Sequence, residues 1–365
     1  MRLSKKTRRP FSSLSTKSNA DYKSVDELDE NDLNDELETT LWNGLEQRIK
    51  QDKRKQKVLY ISRVAALFFI IVSIAYFTTM MIKNSHKTED LMAFLQENRT
   101  KHIGDTDKIT FAFNGKNQAF AIQSNEEIAL GQNAILRKNK DTIYILGNEV
   151  KNIPMYIHVP RQTILTIVMN DGTMCTLNAN TALAFNADFA SHDRNIGMSG
   201  CGKFDVVHDS KRPMSVITGR DTIMDIGTVF YVRQYDTDTE TDIAVQKGRV
   251  AIGQTNINAG EQAHAKNGSI EKYAYDNDKI EEQYIHNTTF SFEEEKMQNV
   301  LKQLANWYGL ALNDSAAICD KTFTGKLPNN LPLEAIVDIL NDLSDCKITI
   351  ISPTNGQKTL TINQK

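Results

Sequence analysis

Residues 64–82 read VAALFFIIVSIAYFTTMMI, 19 consecutive positions without a charge. In a helix rising about 1.5 Å per residue they reach ~28 Å, close to the ~30 Å hydrocarbon core of a bilayer. A helix buried in a soluble core usually keeps a polar stripe, whereas this stretch has only scattered Ser and Thr. A cleaved signal segment would sit nearer Met1 and be shorter. The stretch is therefore expected to cross a membrane once. Lys50, Lys53, Arg54, Lys55, Lys57 and Arg63 precede it, and only Lys83 and Lys87 follow closely. Positive charge stays on the cytoplasmic side, so residues 1–63 are expected inside and the larger C-terminal part outside, with 83–104 as a juxtamembrane linker.

The composition fits this division. Lys+Arg number 43 against 46 Asp+Glu, a net charge of -3, which argues against a dedicated DNA binder. Apolar residues make up 40% and charged residues 24%, which excludes a disordered chain and a multi-span membrane protein. Cys175, Cys201, Cys319 and Cys346 all follow the span. In an oxidising compartment they permit two disulfides. Pairing within domains favours Cys319–Cys346 and Cys175–Cys201, with buried free thiols as the alternative.

Inside, residues 1–20 carry six basic residues and no acid, and 21–38 turn acidic. Leu33, Leu37, Leu41, Leu45 and Ile49 recur every four residues, with Trp42 beside them. That spacing predicts a short amphipathic helix with one apolar face. Fewer than about 60 residues build little core of their own. The face is expected to seat in a partner protein's groove, the alternatives being self-association or a helix lying on the membrane.

Outside, residues 105–275 read as short strands: ITFAF (109–113), TIYIL (142–146), TILTIVM (163–169) and VFYVRQY (229–235), with turns at Asn170–Asp171–Gly172 and Lys247–Gly248. An all-β sandwich or a β-helix-like stack is expected. From 287 to 365 the order reads β-α-β-α-β-β: a small α+β domain with helices at 293–309 and 331–343 and a hairpin turn at Asn355–Gly356. The acidic residues 293–295 are read as the start of the first helix and Gly309 as its end.

Enzyme signatures are absent: no HExxH, no GxSxG, no P-loop, no CxxC. No metal site and no cofactor are expected. Asp236, Asp238, Glu240 and Asp242 alternate along one stretch. They lack the glycine and distal Glu of a calcium loop and read as a solvated hairpin tip. One bond stands apart. Gly227–Thr228 lies between two apolar segments. A Thr hydroxyl can attack the preceding carbonyl where the backbone is strained, and glycine hinders that carbonyl least. A plain glycine bulge is the simpler reading.

Several stretches together resemble the FecR family of membrane-bound anti-sigma factors, in the form common in Bacteroidetes. They are WNGLEQRIKQDKRKQK running into the span, MNDGTMCTLNANTALAF (169–185), GKFDVVHDSKRPMSVITG (202–219), MDIGTVFYVRQY (224–235), AVQKGRVAI (244–252) with NAGEQA (258–263), and FTGKLPNNLPLEAIVDIL (323–340). The last is similar to the secretin/TonB short N-terminal fold. The resemblance implies a bacterial inner-membrane regulator with no direct nucleic-acid contact. Inside, Leu37, Leu41, Trp42, Leu45 and Ile49 would hold an extracytoplasmic-function sigma factor. Outside, the periplasmic part would sense the signalling domain of an outer-membrane TonB-dependent transducer. Gly227–Thr228 matches a place where some family members cleave themselves. The stretch GCGKF (200–204) departs from the family's usual acidic pattern, and the N-terminal helical part is shortened. The alternative is a membrane-tethered periplasmic binding or scaffold protein without a sigma-factor partner.

Overall fold

The computed structural model describes residues 30–101, 108–113, 116–120, 124–130, 135–138, 141–145, 153–190, 193–276, 279–286, 288–313, 319–352 and 358–364. It divides into two units, Met1–Met80 and Met81–Lys365. Helix α1 spans Glu30–Lys101, so the short helix expected inside is part of a much longer one. Residues 83–101, expected as a linker, are helical as well.

In the first unit α1 carries a run of exposed apolar and aromatic side chains. Phe68, Phe69, Ile70, Ile71, Val72, Ile74 and Tyr76 are all exposed, Phe69 and Tyr76 by 71%. Among the described residues, no helix is long and apolar enough to cross a membrane. The side chains of 77–82, at the end of the apolar run, lie outside the described residues.

The second unit is built on two facing β-sheets, and the chain passes repeatedly from one to the other. Strands β1 (Ile109–Phe113) and β2 (Lys116–Phe120) form a hairpin in the first sheet. The meander β3 (Glu126–Leu130), β4 (Ile135–Lys138) and β5 (Asp141–Ile145) lies in the second. Strand β6 (Pro154–Val159) returns to the first sheet beside β1. The hairpin of β7 (Leu165–Val168) and β8 (Met174–Leu177) joins the second, and β9 (Thr181–Asn186) pairs with β6 in the first.

Strand β10 (Asn195–Asp205) belongs to both sheets. Ile196–Ser199 pair with β9, and Gly202–Asp205 pair with β8. The change falls at Gly200, whose φ of +135° only glycine adopts readily. Then β11 (Ser215–Ile217) and β12 (Thr222–Asp225) lie in the first sheet, and β13 (Val229–Gln234) and β14 (Thr241–Lys247) in the second. Strands β15 (Arg249–Ile252) and β16 (Thr255–Asn258) return to the first, and β17 (Glu261–Lys266) and β18 (Ser269–Ala274) close the second.

One core fills the space between the sheets. It takes Ile157, Leu183, Val216 and Ile223 from the first, and Ile167, Cys175, Phe204, Phe230 and Val245 from the second. The architecture is thus a sandwich, which settles the choice left open by the strand pattern.

Each outer face of the sandwich is also covered. On the first sheet, the end of α1 sets Leu91, Met92 and Leu95 against Ala112, Tyr156, Ala182 and Ala184. Three of these four floor residues are alanines, so the helix lies close. A Cβ on Gly197 would come within 3.2 Å of the Met92 sulfur. Arg99 completes the dock with an ion pair to Asp236 at 2.6 Å.

On the second sheet, Tyr231, Tyr235, Cys201 and Ala244 share a second apolar core with the C-terminal domain. That domain follows the five-residue helix α2 (Ile280–Tyr284). Its order is β19 (Thr289–Lys296), α3 (Met297–Tyr308), β20 (Ala311–Asn313), β21 (Thr322–Pro328), α4 (Leu333–Leu343), β22 (Cys346–Ile351) and β23 (Thr359–Gln364). Strand β20, parallel to β23, is one more than expected.

Residues 293–295 do not start a helix. Glu295 and Lys296 pair with Phe323 and Thr322 of β21 across a bulge at Glu294, whose φ is +50°. Helix α3 begins only at Met297 and ends on Gly309 in the left-handed region at φ +68°. The expected turn at Asn355–Gly356 lies outside the described residues.

Candidate functional site

Five residues of the N-terminal helix were expected to meet a partner. Trp42 and Leu45 are exposed on α1 by 64% and 50%. The side chains of Leu37, Leu41 and Ile49 lie outside the described residues. A Trp this exposed costs free energy in water, since burial of apolar area stabilises by about 25 cal/mol per Å².

The Gly227–Thr228 bond sits at the corner where the chain leaves β12 for β13. Gly227 has φ +82°. Its N–H donates to Asp225 Oδ1 at 3.0 Å, and the Thr228 hydroxyl donates to the same oxygen. The Thr228 carbonyl accepts from Val206 N at 3.0 Å, and the Arg249 carbonyl accepts from Ile226 N at 3.1 Å. Thr228 and Asp225 are each 3% exposed. Burial pushes the Asp225 carboxyl up from its ordinary value, against the bonds from Thr228 and Gly227 that pull it down. A hydroxyl nucleophile and a carboxylate able to take its proton therefore meet beside the Gly227 carbonyl in one buried corner, where that carbonyl packs against Gly248.

The loop beside this corner is clamped from the core. Arg194 is held by Asp171 at 2.6 Å and donates to the carbonyls of Val207 at 2.7 Å and Arg212 at 3.1 Å. The His208 ring, on that loop, stands where a side chain on Gly227 would be.

Cysteine placement corrects one expectation. Cys319 is joined to Cys346. Cys175 and Cys201 are buried free thiols and form no disulfide. The reason is register. Cys175 lies opposite Phe204 on β10, and Cys201 is three positions from Phe204, so the two thiols point to opposite faces of the sheet. Cys175 sits in the core between the sheets and Cys201 in the core shared with the C-terminal domain. Burial pushes the Cys201 thiol up to about 12.

The acidic stretch 236–242 is built in more than a solvated tip would be. Asp242 is 9% exposed. Its Oδ2 accepts from Arg233 Nε at 3.0 Å and Nη2 at 2.7 Å, and its Oδ1 meets His264 Nδ1. Burial alone would raise this carboxyl, but Arg233 and then His264 bring it down to about 2. The bond to Asp242 raises His264 in turn. The hairpin register places Arg233 opposite Asp242, and the next strand places His264 opposite Asp242. Glu240, Asp242 and His264 have ligand atoms within 4.8 Å of one another, a grouping that spacing alone did not reveal. Hairpin counting across the Tyr235–Glu240 turn would have found the Arg233–Asp242 pair.

A family model described as FecR protein matches residues 156–251, and one described as FecR, C-terminal, matches residues 289–358. Two crystal structures of a candidate anti-sigma factor from Parabacteroides distasonis, at 2.50 and 1.65 Å resolution, are similar to the chain at 22% identity. Their TM-scores are 0.49 and 0.48, over 58% and 57% of this chain and 99% of each of those. None of the curated proteins matches it.

Proposed function

We propose, because this chain belongs to the FecR family of anti-sigma factors, that it sequesters an extracytoplasmic-function sigma factor at the inner membrane. Release would follow a periplasmic signal from an outer-membrane TonB-dependent transducer. The family regulates and is not enzymatic. The observation that carries the reading is the bare apolar surface of α1 at Trp42 and Leu45. Such a surface favours a partner that covers it. Leu37, Leu41 and Ile49 share the same four-residue spacing and are assigned to the same contact.

The run 64–82 is proposed as the single span, with the N-terminus cytoplasmic and the C-terminus periplasmic. Its support is a helix whose consecutive Phe, Ile and Val side chains are exposed to a degree that hydrocarbon tolerates and water does not. The excess of Lys and Arg before it sets the orientation.

The test is co-purification of the full chain in detergent with sigma factors of its own genome. A complex is expected, and Leu41→Asp with Trp42→Asp should abolish it. No complex with any of them would favour the membrane-tethered scaffold instead. Protease added outside the membrane should leave residues 1–63 intact.

Self-cleavage at Gly227–Thr228 is a second proposal, favoured by the Thr228–Asp225 hydrogen bond. The hydroxyl oxygen bonds to the Gly227 carbonyl carbon while Asp225 takes its proton. The carbon–nitrogen bond to Thr228 then breaks, and the proton passes to the freed amine. Water splits the resulting ester.

A further inference from the structure

The self-cleavage proposed above has two halves. The acyl shift needs a proton taken from the Thr228 hydroxyl, and Asp225 is bonded to that hydroxyl. The ester that results must then be split by water, and that water needs a base. Asp225 is poorly placed for this second half. It is 3% exposed, and its Oδ1 already accepts from the Gly227 N–H and the Thr228 hydroxyl. Half-buried Gly227 is approached from three directions. Its N–H meets Asp225. Its carbonyl packs against Gly248, where a Cβ would stand 2.4 Å from the Gly227 oxygen. The third direction, in which another residue would carry its side chain, belongs to His208. The His208 Nδ1 is 2.5 Å from where a Cβ on Gly227 would be. With a carbon–carbon bond of about 1.5 Å, Nδ1 lies within about 4 Å of the Gly227 Cα. One bridging water covers the reach from there to the carbonyl carbon.

His208 is exposed, so water reaches it from solvent. The loop that carries it is fixed on both sides of the ring. Val206 N donates to the Thr228 carbonyl at 3.0 Å, Arg194 donates to the Val207 carbonyl at 2.7 Å, and Asp209 is tied to Arg212 at 2.7 Å. We infer that His208 is the base of the second half. In the tautomer protonated at Nε2, Nδ1 is the acceptor. It draws a proton from a solvent water as the water oxygen bonds to the Gly227 carbonyl carbon. The ester bond from that carbon to the Thr228 Oγ then breaks, and the proton passes from Nδ1 to Oγ. The products are a Gly227 carboxylic acid and a Thr228 with free amine and free hydroxyl. A buried carboxylate thus serves the step that needs no water, and an exposed imidazole serves the step that consumes it. This role rests on the self-cleavage reading and is separable from it, because it begins only once the ester has formed.

The experiment follows the labelled full chain, made by cell-free synthesis into detergent micelles, on a denaturing gel with and without hydroxylamine at neutral pH. Hydroxylamine attacks an ester without help from the protein and leaves Gly227 as a hydroxamate, which mass spectrometry identifies. The unaltered chain should split unaided. His208→Gln should split at least about tenfold more slowly, and hydroxylamine should return it to within about twofold of the unaltered rate. His208→Ala, run in the same way, should behave as His208→Gln does, so the outcome does not hang on one variant. Thr228→Ala, which can form no ester, should stay whole in hydroxylamine. A His208 that merely propped the loop would leave its variants without an ester, and hydroxylamine would release nothing from them. Variants that split as fast as the unaltered chain, or that stay whole in hydroxylamine, would overturn the role of His208 and leave self-cleavage standing. So would an unaltered chain that splits only in hydroxylamine. An unaltered chain that stays whole in both conditions would overturn self-cleavage and the role of His208 together.

Discussion

The hydroxyl of Thr228 donates to the carboxylate of Asp225, a residue only 3% exposed, at the corner where the chain leaves the first sheet for the second. The hydroxyl adjoins the Gly227–Thr228 peptide bond, the site proposed for acyl transfer. If the bond cleaves, the full chain should migrate on a denaturing gel as two fragments, one ending at Gly227 and one starting at Thr228. Thr228→Ala should give a single band. Thr228→Ser, which keeps the hydroxyl, should restore the fragments. A single band from the unaltered chain would reduce the corner to a structural turn.

The cysteine arrangement predicts a thiol count. Without reductant, the folded chain should show no thiol reactive to an aromatic disulfide reagent, since Cys175 and Cys201 are buried and Cys319 is bonded to Cys346. Unfolding in urea should expose two. Cys346→Ser should cost about 2–4 kcal/mol, by freeing a loop in the unfolded chain. Cys201→Ser should cost less than that. A count of zero after unfolding would restore the Cys175–Cys201 bridge.

What could be read from the sequence and what could not divides at strand register. Runs of β-branched and aromatic residues marked β1, β7 and β13 within a residue or two, because such side chains suit a pleated, buried surface. Gly309 marked a helix end for a backbone reason that is local. Which sheet a strand joins is not local. Consecutive hairpins look alike whether they stay in one sheet or swap, so the choice between sandwich and stack and the sharing of β10 were out of reach. The same blindness placed Cys175 and Cys201 together. Glu293–Glu295 misled for another reason: acidic residues before an apolar stripe suit a helix start, and a bulge in β19 outweighed that propensity. The helix that carries Trp42 and Leu45 was legible, since the four-residue period of Leu33 to Ile49 needs no tertiary information.

Gly200 lets β10 change sheets, and its replacement measures that. A Cβ there would stand 2.6 Å from the Thr181 backbone. The positive φ adds strain of about 1–3 kcal/mol for any other residue. Gly200→Ala should therefore cost about 2–4 kcal/mol by urea denaturation of the full chain in micelles. Gly202→Ala is the control two residues on. Its Cβ would meet the flexible end of Leu177 at 3.1 Å, and the loss should be smaller. Equal losses would mean that the bend at Gly200 is not the cause.

His286 should set the acid limit of the C-terminal domain. The ring is 4% exposed and lies 4.8 Å from the Phe290 ring, centroid to centroid, and its Nδ1 has no hydrogen-bond partner among the described residues. Burial, with Arg233 adding to it, pulls this imidazole down to about 3. A depressed folded value means that the unfolded chain takes up the proton first. The stabilisation is complete above about pH 6.5 and falls as pH drops from there toward about 3, by about 1.4 kcal/mol per pH unit. His264 runs the other way. Its value is raised by Asp242, so its contribution is whole below about pH 6.5 and is lost only as pH rises. Between pH 6.5 and 5 the slope therefore reports His286 with little from His264. Trp307, buried at 3% in the same core, supplies the fluorescence signal. His286→Gln should flatten the curve over that window while leaving the loss below about pH 4, where the Asp242 carboxyl takes up a proton in the unfolded chain before it does in the folded one. An unchanged slope in the variant would place the acid sensitivity elsewhere.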